Sequence, residues 1–421
     1  MTETGAQGSK LGTRVLLVLL LAYIFNFVDR QIIGILAVPI KAEFGVDDKT
    51  LSLLGVVFGL FYATVAIPIA SLADRRGRVG IIAGAIGLWS LFTAACGLAQ
   101  NFVQLVLARM GVAFGEAGGI APSYALIADF FPKSRRARAL AFFSLGIPIG
   151  SALGIFFGGW LASALDWRSA FLIVGLAGLP IALLVRFAIP EPVRGGLDEG
   201  PAAAAAPPRF AAAARIFMRK PSFWLLSFGA ASGSILGYGL GFWLPSLFSR
   251  SFHLSQGEVA LYYGSIALVG GVAGTWLGGW LGDRLGAARP GVYALIPAIC
   301  FTITAPALAL GLLAPNLWIA WPLFAIGQMT ALAWLGPVIA AVQHIVAPSI
   351  RATTSASFLF VNNLIGIAFG IYVLGWMSDG LKAVYGAESL RYSILYGLGF
   401  YLVAAAFYFG AARRLPKDWV G

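Results

Sequence analysis

Two pairs of charged residues stand where charge is expensive. The run "FNFVDRQIIGIL" carries Asp29 and Arg30 within an apolar stretch, and "LARMGVAFGEAGGIAP" carries Arg109 and Glu116 within another. A charged side chain near the middle of such a stretch costs at least several kcal/mol and marks a functional site by default. Two acids and two bases sum to zero, which predicts a paired network. Burial favours the protonated form of a carboxyl group, whereas a neighbouring guanidinium favours the ionised form. An acid whose surroundings alternate therefore loads and releases a proton. Arginine stays charged, so it suits an anionic headgroup or modulates the acid beside it. A static network that only fixes helix packing is the other reading, and buried charge seldom improves stability.

Spacing places these groups. Asn26 lies three residues before Asp29 and four before Arg30, so the three share roughly one helix face. Arg109 and Glu116 are seven apart, again on one face and separated by about 10 Å of rise. Counted from the outer ends of their helices, Arg109 is expected at roughly 10 Å depth, Arg30 and Asp29 at roughly 12–14 Å and Glu116 near 21 Å. Asp29 is thus expected level with Arg109 or Arg30, and Glu116 deeper with fewer obvious partners.

The elements that must hold them are membrane helices. Of 421 residues, 59% are apolar and 11% charged, against a soluble norm of roughly 45–50% and 25%. A dozen stretches of about 20 residues are long enough to span the hydrocarbon core. They fall near 13–38, 50–72, 79–99, 102–127, 140–164, 169–188, 222–246, 259–282, 291–312, 317–342, 353–377 and 391–411. The expectation is an all-α membrane protein of twelve transmembrane helices in two pseudo-symmetric six-helix bundles. The N-terminal bundle takes 1–189, a cytoplasmic linker 190–221 and the C-terminal bundle 222–421. Within the linker "RFAAAARIFMRK" suits a basic helix lying on the membrane surface, and a disordered tether is the alternative. The first apolar run lacks a small-residue cleavage site and is too long for a signal peptide, so it is expected as the first helix.

With both termini placed in the cytoplasm, 21 of the 29 Lys and Arg fall in cytoplasmic segments and 6 on the opposite side. That bias predicts the orientation. It also accounts for the net charge of +12 without nucleic acid. Cys96 and Cys300 lie within apolar spans and imply neither a disulfide framework nor a metal site.

The two halves echo each other. "ASLADRRGR" follows the second span and "GGWLGDRLGA" the eighth, with Asp74 and Asp283, and Arg75 and Arg284, each 209 positions apart. "PKSRRA" follows the fourth span and "PSIRAT" the tenth, with Pro132 and Pro348, and Arg135 and Arg351, 216 apart. Parallel six-helix repeats with a site between them are a known transporter plan. Glycines recur every fourth residue from Gly146 to Gly158 and from Gly270 to Gly282, stripes that let helices approach closely.

These loops and the glycine-proline fifth helix resemble the signatures of the major facilitator superfamily. Within it, "FNFVDRQIIGIL", "RMGVAFGEAGGIAPSYALIADFFPKSRRARALAFF", "DWRSAFLIVGLAGLPIAL" and "RATTSASFLFVNNLIGIAFG" resemble the spinster-like lipid transporters. Ala70 and Val79 depart from the loop signature, and Gly370-Ile371 stands where helix 11 would carry Gly-Pro. The resemblance implies that Asp29, Arg30, Arg109 and Glu116 serve proton coupling and headgroup recognition. It also implies that Asp74 faces helix 11 as a cytoplasmic latch, with Arg75, Arg78, Arg135, Asp283 and Arg351 as further gate residues. Independently of it, an acid beside a helix start interacts favourably with the positive dipole end.

Between 222 and 411 every Lys, Arg, Asp, Glu and His sits at a span end or in a loop. Tyr238, Gln328, Trp334, Asn362 and Asn363 are the polar cavity candidates there. One charged wall and one neutral wall suit an amphiphile. The chain is expected to be a monomeric, proton-coupled carrier of lysophospholipid- or sphingoid-like amphiphiles in the cell membrane, moving them by alternating access. It needs no cofactor besides the proton. Sugar acids or other small organic anions are the alternative substrates. Nothing resembles a phosphate-binding Gly-Lys-Ser/Thr loop, and His253 and His344 are too sparse for a zinc site or a catalytic dyad. An enzyme is therefore not expected, nor a channel, since the charges form no ring.

Overall fold

The computed structural model describes residues 3–131, 139–140, 142–192, 210–286, 289–347 and 350–420. Among them there is no strand, and every one of the twelve expected segments falls on helix. Helices are what a bilayer demands, because each backbone group must find its partner within the segment. Eleven helical stretches are long and apolar enough to cross a membrane, and the last, Thr353–Asp418, runs through both of the final two expected spans. Large apolar side chains are exposed around them, including Trp318 at 90% and Phe187 at 80%. Water would penalise such a surface and lipid does not.

The chain divides into two compact units. Unit 1 comprises Met1–Gly45, Val57–Ala205 and Ser255–Ala260, and unit 2 comprises Val46–Val56, Ala206–Leu254 and Leu261–Gly421. In unit 1, α1 (Glu3–Ile35) runs into the short α2 (Ala37–Phe44), which Gly45 closes in the left-handed conformation at φ 62° with its N–H on Lys41 O. The long helix α3 (Asp48–Arg76) begins with residues that belong to unit 2. Next come α4 (Arg78–Gly97), α5 (Phe102–Glu116), α6 (Ile120–Phe130), α7 (Gly146–Ala164) and α8 (Trp167–Ala188). Helix α1 packs on α7, and α4 packs on α5 and α8.

Unit 2 holds a short helix α9 (Phe210–Met218), followed by α10 (Pro221–Ser251) and α11 (Gln256–Leu281). Further on are α12 (Val292–Leu312), α13 (Leu317–Leu332), α14 (Leu335–His344), α15 (Arg351–Tyr385), α16 (Ser389–Gly397) and α17 (Gly399–Asp418). Helix α10 packs on α15 and α17, and α12 on α13 and α17.

Local chemistry sets the helix ends. Asn101, Asp166 and Asn316 cap α5, α8 and α13, each side chain accepting the N–H three residues on. The Ser169 N–H also holds the exposed Asp166 carboxyl below the usual carboxylate range. The C-terminal tail is built into unit 2. Asp418 accepts the Ser222 N–H at 3.1 Å, and its carbonyl accepts from Lys220 Nζ at 2.7 Å. Trp419 stacks on His344 with ring centres 4.7 Å apart, and the Val420 N–H reaches His344 O at 2.9 Å.

Both glycine stripes are contact lines. Those of α7 meet α1, and those of α11 meet α13 and α14. A Cβ on Gly154 would stand 2.7 Å from Val28 O, a backbone atom that cannot step aside. Gly154→Leu is therefore expected to destabilise the protein by about 1–3 kcal/mol through overpacking. The check is thermal unfolding in detergent, with the open-faced Gly84→Leu, which has nothing within 4 Å, as the silent control.

Candidate functional site

The four charged residues meet inside unit 1. Asp29 is 2% exposed, Arg109 3% and Glu116 0%. Arg30 Nε donates to Glu116 Oε2 at 2.6 Å. Arg109 Nη1 stands 4.0 Å from Asp29 Oδ2, an ion pair without a hydrogen bond, while Thr93 Oγ1 donates to Asp29 Oδ1 at 2.7 Å. Glu116, expected deeper with fewer obvious partners, is bonded among the described residues to Arg30 alone, whereas Asp29 has Arg109 and Thr93; that its partner is Arg30 was not expected. Depth counted along an axis ignores the length of the arginine side chain, which lets Arg30 on α1 meet an acid placed deeper on the next-but-two span.

Aromatic rings complete the wall. The Arg30 guanidinium lies over Phe27, Phe58 and Tyr62 with its carbon 5.3, 5.5 and 4.8 Å from the ring centres, and Arg109 lies 5.0 Å from Phe58. Rings within about 6 Å stabilise a cation that water no longer reaches. Charge-network capacity is left over. Arg109 Nε and Nη1, Asp29 Oδ2 and Glu116 Oε1 make no hydrogen bond. The site thus keeps both donors fit for an anion and acceptors fit for a proton.

Backbone geometry explains why Glu116 sits where it does. Pro122 has no N–H to offer Gly118 O, and the fourth span is broken just before it, between α5 and α6. There the chain tightens, with Gly118 N–H on Gly115 O and Gly119 N–H on Glu116 O at 3.0 Å each. Glu116 closes α5 at that break. The corresponding span in unit 2 is broken in the same way before Pro337, and Trp334 occupies the break between α13 and α14. The 216-residue offset of the repeat carries Arg109 to Ala325 and Glu116 to Leu332, and the 209-residue offset carries Asp29 to Tyr238. Charge belongs to one half of the repeat only.

In unit 2, Ser234 Oγ donates to Asn362 Oδ1 at 2.7 Å, and Asn362 Nδ2 donates to Asn363 Oδ1 at 3.1 Å. Tyr238 OH reaches the same Asn363 oxygen at 3.5 Å. Three of the five candidates there form one neutral cluster. Gln328, on α13 against Gly270, and Trp334 stand outside it. Asn26 is 2% exposed and lies one turn from Asp29.

Of the expected gate residues, Arg78 forms an ion pair with Asp129 and donates to Ala125 O, and Arg351 Nε donates to Gln343 O at 3.0 Å. The guanidinium of Arg284 lies over Trp280. Glu191 accepts the N–H groups of Arg78 and Val79 at 2.6 and 3.0 Å, capping α4. The side chains of Asp74, Arg75 and Asp283, and all of Arg135, lie outside the described residues.

Sequence reasoning missed Thr93, Phe58, Tyr62 and Ser234, although a hydroxyl in an apolar span was a signal for Thr93. It also missed a buried ion pair in unit 2. Asp48 is 0% exposed, accepts both Arg250 Nη1 and Nη2 at 2.7 and 2.8 Å, and takes Ser378 Oγ at 2.8 Å.

The chain matches the Major Facilitator Superfamily over residues 19–371. It belongs to that superfamily. Within it the chain is spinster-like, a transporter rather than an enzyme and a multi-pass protein of the cell membrane. It is 35% identical over 403 residues to a protein of Mycolicibacterium smegmatis named as an MFS-type efflux pump, covering 95% of this chain and 92% of the relative. Human protein spinster homolog 1 is 30% identical over 392 residues, covering 88% of this chain and 74% of its own. The crystal structure of a bacterial homolog to the human lysosomal transporter Spinster, inward-facing and unoccupied, superposes with TM-score 0.87 at 34% identity over 98% of this chain and 99% of that one. A D-xylose-proton symporter shares the fold at TM-score 0.77 and 16% identity.

Proposed function

We propose that this superfamily member moves amphiphiles with an anionic headgroup, of the lysophospholipid or sphingoid-phosphate kind, by proton-coupled alternating access. One observation carries the reading. The buried network of unit 1 keeps two acceptors on its acids and two donors on Arg109 in reserve, while the polar cluster of unit 2 is neutral. Asp29 and Glu116 exchange the coupling proton. Arg109, with Arg30, takes the headgroup, because a guanidinium binds phosphate through a bidentate fork. Asn26, Tyr238, Gln328, Trp334, Asn362 and Asn363 contact the remainder of the substrate. The loop acids Asp74 and Asp283, with Arg75, Arg78, Arg135 and Arg351, govern opening. A single chain suffices, and the proton is its only co-substrate. The relatives named as an efflux pump and as a Spinster transporter are in keeping with a carrier.

The test is binding across a series of lysolipids and gluconate-like anions in detergent-free membranes. Affinity is expected to rise by up to roughly 0.8 kcal/mol per CH₂ removed from water, until the space for the tail is full. Arg109→Lys keeps the charge and loses the fork, so it is expected to weaken every member of the series alike. Binding of the sugar acid, with no lysolipid bound at any chain length, would overturn the amphiphile reading in favour of small organic anions.

A further inference from the structure

A small pocket lies inside unit 1, among α1, α4, α6 and the helical residues before α7. Ala22, Asn26, Trp89, Gly119, Ser123 and Phe143 are among the residues around it. It offers about 10 Å³ to the centre of a water molecule, which is about one water on that measure. Asn26 is 2% exposed, and neither its side-chain oxygen nor its nitrogen has a hydrogen-bond partner. A buried amide left in that state is strongly disfavoured. Ser123 is 5% exposed and donates its hydroxyl to Gly119 O at 2.7 Å, which leaves its lone pairs able to accept.

The pocket is placed with respect to the acids. Asn26 is one turn before Asp29 on α1. Gly119, whose N–H bonds Glu116 O, is one turn after Glu116 on the oppositely running fourth span. Both therefore lie on the same side of the acid pair, toward the N-terminal end of α1. The charged and polar groups facing that pair are Arg30 on α1, Thr93 on α4 and Arg109 on α5. Tyr23, beside the pocket, meets Tyr124 of α6.

We propose that the pocket is a hydration site. One ordered water accepts from Asn26 Nδ2, donates to Asn26 Oδ1 and donates to Ser123 Oγ, giving it the two to four polar partners that a buried water needs. This water is the stepping stone by which the acid pair exchanges protons with solvent at that end. When a carboxylic acid of the pair releases its proton, the O–H bond breaks and a mobile water entering the one-turn gap takes the proton; the ordered water accepts it in turn and gives one of its own protons to the next solvent water. The assignment rests on the proton-coupled reading above. It adds a route inside one unit, built from groups that touch no headgroup.

Two measurements test it. X-ray hydroxyl-radical footprinting reads bound water through neighbouring aromatic side chains, and Tyr23, Trp89 and Phe143 are all in place as reporters. The expected result is modification of these buried rings at rates like those of exposed aromatics, and their complete protection would overturn the water. Separately, Ala22→Val fills the pocket and Ser123→Ala removes an acceptor. Each is expected to slow accumulation driven by a pH gradient about tenfold, the effect of ~1.4 kcal/mol on the barrier, while substrate counterflow at equal pH stays as in wild type. Unchanged gradient-driven rates in both variants would overturn the relay. Wild-type transport indifferent to a pH gradient would instead overturn the proton-coupled reading beneath it, and footprinting would still decide the water by itself.

Discussion

Glu116→Gln and Asp29→Asn are each expected to abolish accumulation driven by a proton gradient, while the protein still folds and still exchanges substrate by counterflow. Each change keeps the volume of the side chain and removes its titration. Glu116 has no solvent contact and receives Arg30 Nε at 2.6 Å, and Asp29 lies between Arg109 and Thr93. A carrier that protonates these acids during its cycle must already tolerate the neutral form, which the amide imitates. The arginines are steadied in either state by Phe27, Phe58 and Tyr62. Differential protonation of two conformations is what ties a proton gradient to a population shift. Proteoliposome uptake with and without a pH gradient reads the effect. Gradient-driven accumulation at wild-type level in both variants would remove the acids from the coupling mechanism.

Arg250→Met is expected to be the most destabilising single change outside that network. Asp48 is wholly buried, and two Arg250 N–H groups and the Ser378 hydroxyl are among the groups that hold its charge. Deleting one partner of a buried ion pair costs about 3–5 kcal/mol, because the other charge remains without compensation. Replacing both with apolar groups is close to neutral. The double variant Asp48→Leu with Arg250→Met should therefore melt close to wild type, well above the single variant. The comparison is melting temperature in one detergent. A single variant within a few degrees of wild type would show the pair to be a surface contact in energetic terms.

The contrast between these two sites shows what was legible in the residues. Asp29, Arg30, Arg109 and Glu116 were conspicuous because each interrupts an apolar run, and helical spacing put each pair on one face of its own helix. Their partnering was not legible, since it turns on a long arginine reaching an acid at the break before Pro122. Asp48 was invisible for the opposite reason. It sits in "GVDDKT", a polar stretch that reads as an ordinary loop, and only packing against Arg250 and Ser378 buries it. The same holds for Ser234, whose hydroxyl gains meaning only beside Asn362. Spans, repeat and glycine contact lines follow from periodicity along one chain, whereas the shared aromatic wall of Phe58 and Tyr62 depends on where separate helices meet.

The tail of unit 2 has a practical consequence for anyone preparing this protein. Asp418 closes the start of α10, Trp419 lies against His344, and Val420 is hydrogen-bonded to the His344 carbonyl. Purification handles and fluorescent reporters joined to this end need a spacer beginning beyond Val420. Trimming back to Pro416 to tidy the sequence would uncap one helix and strip the ring that covers another.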